Sequence, residues 1–202
     1  MVRKIIDYIF EIPFFYRYLR AIGTFGVRTA PIRKMLDIQD GESLLDVACG
    51  IGDYSVLAES HNKYVGVDLN IRSIALAKKL YGAPNRKFKV MDVTKMSIDQ
   101  KFDRAIVLAI LHHLSDNEVI TMLTSLKRLV KKRIVIMDAV YTRYHFINNF
   151  IYRFDRGRYV RSLSDQTELV SKALKVLHVS TYFVRTLILK YSLIVCEVEE
   201  EI

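Results

Sequence analysis

Three carboxylates and one loop of small residues carry the chemistry open to this chain. The run LLDVACGIGDYS, residues 44–55, takes an apolar segment to Asp46 and then passes through Ala48, Cys49, Gly50 and Gly52. Apolar strand, tight loop and helix-compatible segment, in that order, let a backbone approach a nucleotide-like ligand closely. Asp68 closes the next apolar run, YVGVD, and Asp92 closes the one after it, FKVMD. Ligands of open parallel sheets bind beyond the carboxyl ends of the strands. Acids ending three successive strands therefore predict one polar sheet edge. Asp68 stands 68 − 46 = 22 residues after Asp46, the distance at which a second-strand carboxylate accepts hydrogen bonds from ribose hydroxyls. Asp92 is placed to reach the exocyclic amine of an adenine. Any one acid taken alone reads as a strand-end turn residue; the ordered set of three does not.

Two ligands fit such an edge, a dinucleotide and S-adenosylmethionine. Gly50-x-Gly52-x-x-Ser55 is a dinucleotide fingerprint with its third glycine replaced, a weak signal alone. Asp46 favours the second ligand, because a carboxylate ahead of the loop suits a methionyl amino group and no pyrophosphate needs it. A sulfonium methyl is already activated, so the protein's main tasks are to align the acceptor and exclude water. A hydroxyl or acidic-carbon acceptor also gains from a general base. The candidates are His112, His113, His145 and Tyr141. His112 and His113 open a loop before a capped helix, so a packing role stands beside the catalytic one. After the fifth strand, YTRYHFINNFIYRFDRGRYVRSLSD mixes Arg153, Arg156, Arg158 and Arg161 with seven aromatics. Arginine forks suit carboxylate or phosphate, and aromatics suit a ring or isoprenoid. Most of these arginines are expected to pair with Asp155, Asp165 and Glu168 or to face solvent. His145, Arg158 and Tyr159 are the substrate-side candidates. No His, Cys or Asp group has metal-ligand spacing, so no metal is expected.

The elements that must position these groups alternate. Two short amphipathic segments split by Pro13 come first, and read as a cover for the core or a lid. Pro31 starts a helix to about Leu36. SLLDVA, YVGVD, FKVMD, FDRAIVL and RIVIMDAV read as strands, and DYSVLAES as the first crossover helix. Asn70 caps a helix over 71–81, ended by Gly82 and Pro84. Ser115 with Glu118 makes a capping box for a helix from Asp116 to Val130. Lys127, Arg128, Lys131, Lys132 and Arg133 sit at that helix's end, where cations complement the macrodipole. Strand–helix alternation implies a parallel sheet covered on both faces. A helix near 166–174, capped by Asp165 and Glu168, then leads to KVLHVSTYFV and KYSLIVCEVEE. Their short connection makes this last pair antiparallel.

With 202 residues, 51% hydrophobic and 26% charged, the chain is one globular domain rather than a disordered one. Two cysteines, Cys49 and Cys196, make neither a disulfide framework nor a metal cluster. They fit a reducing cytoplasm, and no segment reads as a signal peptide or spanning helix. The net charge of +9 is scattered, without an RNA-binding module or stacking platform. No nucleic-acid partner is expected.

Residues 44–138 resemble the class I S-adenosylmethionine-dependent methyltransferases. LLDVACGIG is similar to their first motif, with Ala48 in place of the first glycine as in quinone-biosynthesis methyltransferases. VGVDLN resembles the ribose-binding second strand, and MDV the adenine-contacting stretch. FDRAIVLAILHHL resembles the fourth motif. The resemblance implies cofactor contacts by Asp46, Ala48, Cys49, Gly50, Gly52, Asp68, Leu69, Asp92, Val93, Leu108 and Ala109. It also implies a Rossmann-like, doubly wound, mostly parallel seven-stranded sheet of order 3-2-1-4-5-7-6 with its last strand antiparallel. Residues 1–37 would form a helical cap, 38–140 the cofactor core, 141–165 an acceptor-side insertion, and 166–202 the C-terminal helix and strand pair. DRGRYVRS resembles a segment of some small bacterial methyltransferases. The partner expected is a small-molecule methyl acceptor, aromatic or lipid-like, with peripheral membrane contact compatible and a monomer or homodimer as the assembly. Methylation of RNA or protein, and a non-catalytic binding role, are the alternatives.

Overall fold

The computed structural model describes residues 29–142, 158–183 and 190–198. The two N-terminal amphipathic segments and His145 lie outside the described residues. Helix α1 spans Thr29–Leu36 and buries Ile32 and Leu36 fully. Strand β1, Ser43–Val47, then enters the centre of the sheet. The crossover to β2, Lys63–Asp68, is not the expected α-helix but a 3₁₀ turn over Asp53–Leu57. A longer helix has no room: the Asn62 side chain takes the Glu59 amide at 3.0 Å, and β2 begins at the next residue.

Helix α2, Ile71–Tyr81, starts where sequence places it. The Asn70 side chain accepts from the Arg72 and Ser73 amides at 2.9 and 3.1 Å, satisfying donors that a helix start leaves unpaired. At its end, a Cβ on Gly82 would stand 2.4 Å from the Lys78 carbonyl. Strand β3 covers Arg86–Val90, so Asp92 lies two residues beyond it and caps a short 3₁₀ turn, Val93–Lys95. Strand β4, Phe102–Leu108, leads through a 3₁₀ turn at Leu111–His113 to α3, Asp116–Leu129. Glu118 accepts from the Ser115 amide at 2.8 Å, closing the capping box at its carboxylate side. Strand β5, Val130–Ala139, follows without a break. Helix α4 runs Leu163–Ser171, three residues earlier than the sequence reading, because the Ser162 hydroxyl accepts the Asp165 amide and becomes the cap. Strands β6, Lys175–Phe183, and β7, Lys190–Glu197, complete the sheet.

The seven strands lie in the order β3-β2-β1-β4-β5-β7-β6. The first five are parallel, and β7 runs antiparallel to both β5 and β6. Period-two alternation divides the core between the faces. Leu45, Val47, Val107 and Ile136 meet Val119, Met122 and Leu126 of α3 and Val170 of α4. Leu44, Ile106, Val135 and Met137 meet α1 and α2. Both faces being covered, the strands read as continuous apolar runs. No helix among the described residues is long and apolar enough to cross a membrane.

At the amino ends of the strands, opposite the predicted ligand edge, Glu42 fastens three elements. It accepts from the Gln39 amide at 3.0 Å, Arg104 Nε at 2.9 Å and Lys132 Nζ at 2.6 Å. Burial pushes the Glu42 carboxyl up, but the Gln39 amide, Lys132 and Arg104 outweigh it, holding it below its ordinary 4.5. Burial likewise raises Asp103, and Ser43, Lys131 and Lys132 outweigh it, leaving it below 3.8. Carboxyls depressed in the folded state stabilise it above their ordinary values, and that stability is lost as pH falls through the folded values. Thermal melts should therefore show stability dropping as pH falls below about 4.5. Glu42→Gln, which leaves Arg104 buried without its counter-charge, should cost about 3 kcal/mol at neutral pH and flatten that acid slope.

Candidate functional site

The loop after β1 has a left-handed backbone at three of five positions: Ala48 at φ 61°, Gly50 at φ 55° and Gly52 at φ 83°. A left-handed alanine costs about 1–2 kcal/mol, so the loop needs external anchors. The Cys49 amide donates to the Val67 carbonyl at 2.9 Å, and the Gly50 amide to Asp68 Oδ2 at 2.8 Å. The Gly52 amide turns back on the Cys49 carbonyl at 2.9 Å. Gly52 is doubly constrained, since a Cβ there would also stand 2.7 Å from the Phe88 ring. Asp46 is 1% exposed beneath the loop and accepts from the Tyr64 hydroxyl at 2.6 Å. Burial, then the Asp46 charge, raise the Tyr64 phenol well above 10.0, so it remains a donor.

Sheet register brings the next group alongside. Val47 pairs with Val67, so Asp68 lies beside Ala48. Asp68 Oδ1 also accepts the Asn70 amide at 2.8 Å. Two ionised carboxylate oxygens offer about four acceptor sites, which leaves capacity for ligand hydroxyls. Leu69, next in the chain, is 70% exposed at this edge, and Val93 is nearly buried. The Thr94 hydroxyl and amide, at 2.7 and 2.9 Å, hold Asp92 below the usual carboxylate range and ionised. Residues 46–52, 68–69 and 92–93 thus meet at the carboxyl ends of β1, β2 and β3.

The exit of β4 adjoins them. Val47 pairs with Val107, which sets Leu108 beside Ala48. Ala109 repeats the left-handed backbone at φ 56°, its amide donating to the Met137 carbonyl at 2.8 Å. The two histidines then separate. His112 is buried, and its Nδ1 makes a short contact with Asp138, a carboxylate 0% exposed at the end of β5. Asp138 also accepts the amides of His112 at 3.1 Å and Ala139 at 2.6 Å. His113 is exposed and lies against the His112 ring, centroids 4.1 Å apart.

Arg161 fastens this turn from outside. It donates to the carbonyls of Leu111 and Leu114, both at 2.8 Å, and to Asp116 at 2.6 Å. The expected arginine partners, Asp165 and Glu168, are not its partners; Asp116, which starts α3, is. The Tyr159 amide donates to the His112 carbonyl at 3.0 Å, so the 158–161 segment lies along the turn. A groove of about 400 Å³ opens there, lined by Tyr159, Val160, Arg161, Asp116, Asp165 and Leu169 among others. Tyr141, Arg158 and Tyr159 are exposed. Sequence reasoning missed Tyr64, Asp138 and the role of Arg161. Only Asp138 left a signal, as one more acid ending a strand. Among the described residues no group of three His, Cys, Asp or Glu side chains could hold a metal ion.

Residues 44–133 match the family model described as a methyltransferase domain. The methyltransferase candidate 235L of Invertebrate iridescent virus 6 is 34% identical over 71 residues, 34% of this chain and 26% of that protein. The chain therefore spans about a quarter of the curated relative it matches. A chain of the Haloferax volcanii complex between the Trm112 methyltransferase activator and a methyltransferase superposes with a TM-score of 0.72 at 13% identity, covering 86% of this chain and 90% of that one. Magnesium protoporphyrin IX methyltransferase from Synechocystis PCC 6803, solved with bound SAH, gives 0.67 at 18% identity over 96% and 99%.

Removing the hydroxyl beneath the loop tests this architecture. Tyr64→Phe strips a buried carboxylate of a donor and should cost about 2 kcal/mol, read as a lower urea midpoint at unchanged slope.

Proposed function

We propose that this chain is a class I S-adenosylmethionine-dependent methyltransferase and that it methylates a small-molecule acceptor, aromatic or lipid-like. The observation that carries the reading is the meeting of the left-handed loop, Asp68 and Asp92 at one sheet edge, beside the His112–His113 turn. The donor set fits the cofactor. Asp68 retains acceptor capacity for ribose hydroxyls, Asp92 is ionised for an amine, and exposed Leu69 offers an apolar face to a base. The cofactor supplies a methyl group activated by its sulfonium.

The chain's own groups do the rest. Asp46 places negative charge under the loop, on the side assigned to the methionyl amino group. The backbone at Leu108 and Ala109 borders the same position. An Nδ1–H tautomer of His112 satisfies Asp138 and leaves Nε2 as the basic nitrogen. Asp138 then orients the imidazole, as a carboxylate does in a catalytic triad. His113, being exposed, is the second candidate to take a proton from an acceptor hydroxyl. A reducing, cytoplasmic setting fits two buried free cysteines. Methylation of RNA or protein is the second reading, favoured by the +9 charge. A protein activator is a further partner class, since the Haloferax volcanii chain was solved with one.

Calorimetry with S-adenosylhomocysteine should show binding by wild type and at least a tenfold loss in Asp68→Ala. Absence of wild-type binding, or equal binding by the variant, would sink the cofactor assignment. Turnover against a metabolite panel, with tRNA and protein as further arms, separates the acceptor classes. If His112 serves as the base, His112→Gln should lower kcat about 10²-fold or more and remove the acid limb of the pH profile, where the imidazole is protonated, at unchanged S-adenosylhomocysteine affinity. An unchanged kcat assigns His112 to the turn alone.

A further inference from the structure

Arg161 stands where two strand exits meet. His112 follows β4 and Asp138 lies at the end of β5, and this one residue is bonded to both exits. Its guanidinium donates from Nη1 to the Leu111 carbonyl and from Nη2 to the Leu114 carbonyl, both at 2.8 Å. Those two carbonyls bracket His112 and His113. The Tyr159 amide holds the His112 carbonyl between them at 3.0 Å. The Arg161 carbonyl, in turn, accepts the Tyr141 amide at 3.0 Å and Gln166 Nε2 at 3.3 Å. Gln166 Nε2 also donates to the carbonyl of Ala139, the residue after Asp138, at 2.6 Å. The side chain of Arg161 therefore grips the turn that carries His112. Its main chain grips the strand end that carries Asp138.

Packing alone does not ask for this. The helices on either side of Arg161 have caps of their own, Ser115 with Glu118 for α3 and Ser162 for α4. The ion pair with Asp116 reaches a carboxylate side chain 68% exposed, and exposed pairs contribute little. Water can satisfy backbone carbonyls at a surface, and His113 in this turn is exposed. The turn is held instead by a guanidinium whose side chain is only 10% exposed. That group also lies over the Tyr159 ring, 5.6 Å from its centroid. A planar fork with fixed donor directions sets geometry in a way that a lysine ammonium does not.

We propose that Arg161 is a positioning residue that sets the His112 imidazole against Asp138. Which ring nitrogen carries the proton is decided by the bond the other ring nitrogen or its partner makes. Held on Asp138, His112 keeps its proton on Nδ1 and its basic lone pair on Nε2. Arg161 touches neither ring nor carboxylate and acts through the two backbones between them. This role rests on the methyltransferase reading with His112 as the base.

Heteronuclear NMR of the histidine nitrogens reads the tautomer and needs no acceptor. His112→Gln identifies the His112 signals by their loss. In wild type, Nδ1 of His112 should be the protonated nitrogen of a single tautomer. Arg161→Lys keeps the charge beside Asp116 but cannot span two carbonyls. It should move the Nδ1 resonance toward the average of both tautomers, with melting temperature and S-adenosylhomocysteine affinity close to wild type. Asp116→Asn removes the exposed pair, leaves the carbonyl contacts and should keep the wild-type spectrum. Methylguanidinium added to Arg161→Ala should restore that spectrum. Once turnover is measured, Arg161→Lys should lower kcat about 10²-fold at little changed KM. A wild type already in mixed tautomers, or a lysine variant whose His112 signals match wild type, would overturn the proposal. A wild type that does not bind S-adenosylhomocysteine sinks the methyltransferase reading beneath it. Signals that ignore Arg161→Lys in a chain that does bind sink this proposal alone.

Discussion

The hydrogen bond from the Gly50 amide to Asp68 holds the rest of the ligand edge in place. A loop with left-handed backbone at Ala48, Gly50 and Gly52 is not stable by itself. It becomes the ground state because the second strand supplies its anchors, the Val67 carbonyl and the Asp68 carboxylate. Register makes this available: Val47 opposite Val67 in a parallel pair leaves the residue after each strand beside the other. The same adjacency puts β4's exit next to the loop from the other side. One carboxylate therefore does two things. It fixes the backbone under a ligand and retains acceptor capacity towards it.

A second constraint reaches the site from the far half of the sheet. Asp138 is fully buried and would be costly to hold without donors. His112 and the Ala139 amide supply them. The Ser192 hydroxyl on β7 accepts the Asp138 amide at 3.3 Å and donates to Gln166 at 2.6 Å. Gln166 on α4 donates to the Ala139 carbonyl, also at 2.6 Å. The antiparallel strand and the last helix thus brace the turn that carries both histidines, and Arg161 closes it from outside. The two ends of the sheet divide the work: Glu42 ties strands and charges together at one, and the site opens at the other.

Much of the fold was legible because the signals are local. Asn70, Ser115 with Glu118, and Gly82 mark helix ends through hydrogen bonds within a few residues. The apolar runs mark strands buried on both faces, and the short connection after Phe183 makes the last pair antiparallel. The errors have physical causes too. DYSVLAES has helical spacing, but Asn62 and the start of β2 leave room only for a 3₁₀ turn. The last helix begins at Leu163 because Ser162 is a competing cap three residues upstream of the one expected. Arg161 finds Asp116, 45 residues away, a partner that no spacing rule could suggest.

By itself the sequence determined which residues are chemically capable: a loop of small residues, Asp46, Asp68 and Asp92 at strand ends, and the His112–His113 pair. It determined their sheet edge as well, since alternation and acid placement depend only on neighbours along the chain. Tertiary structure alone decided how each is used. Burial put Asp46 beneath the loop with Tyr64 rather than at the surface. It separated two adjacent histidines into one held by Asp138 and one exposed. It brought Arg104 and Lys132, 62 and 90 residues away, onto Glu42 at the other end of the sheet. These outcomes rest on contacts between residues tens of positions apart, where register and packing, not spacing, choose the partner.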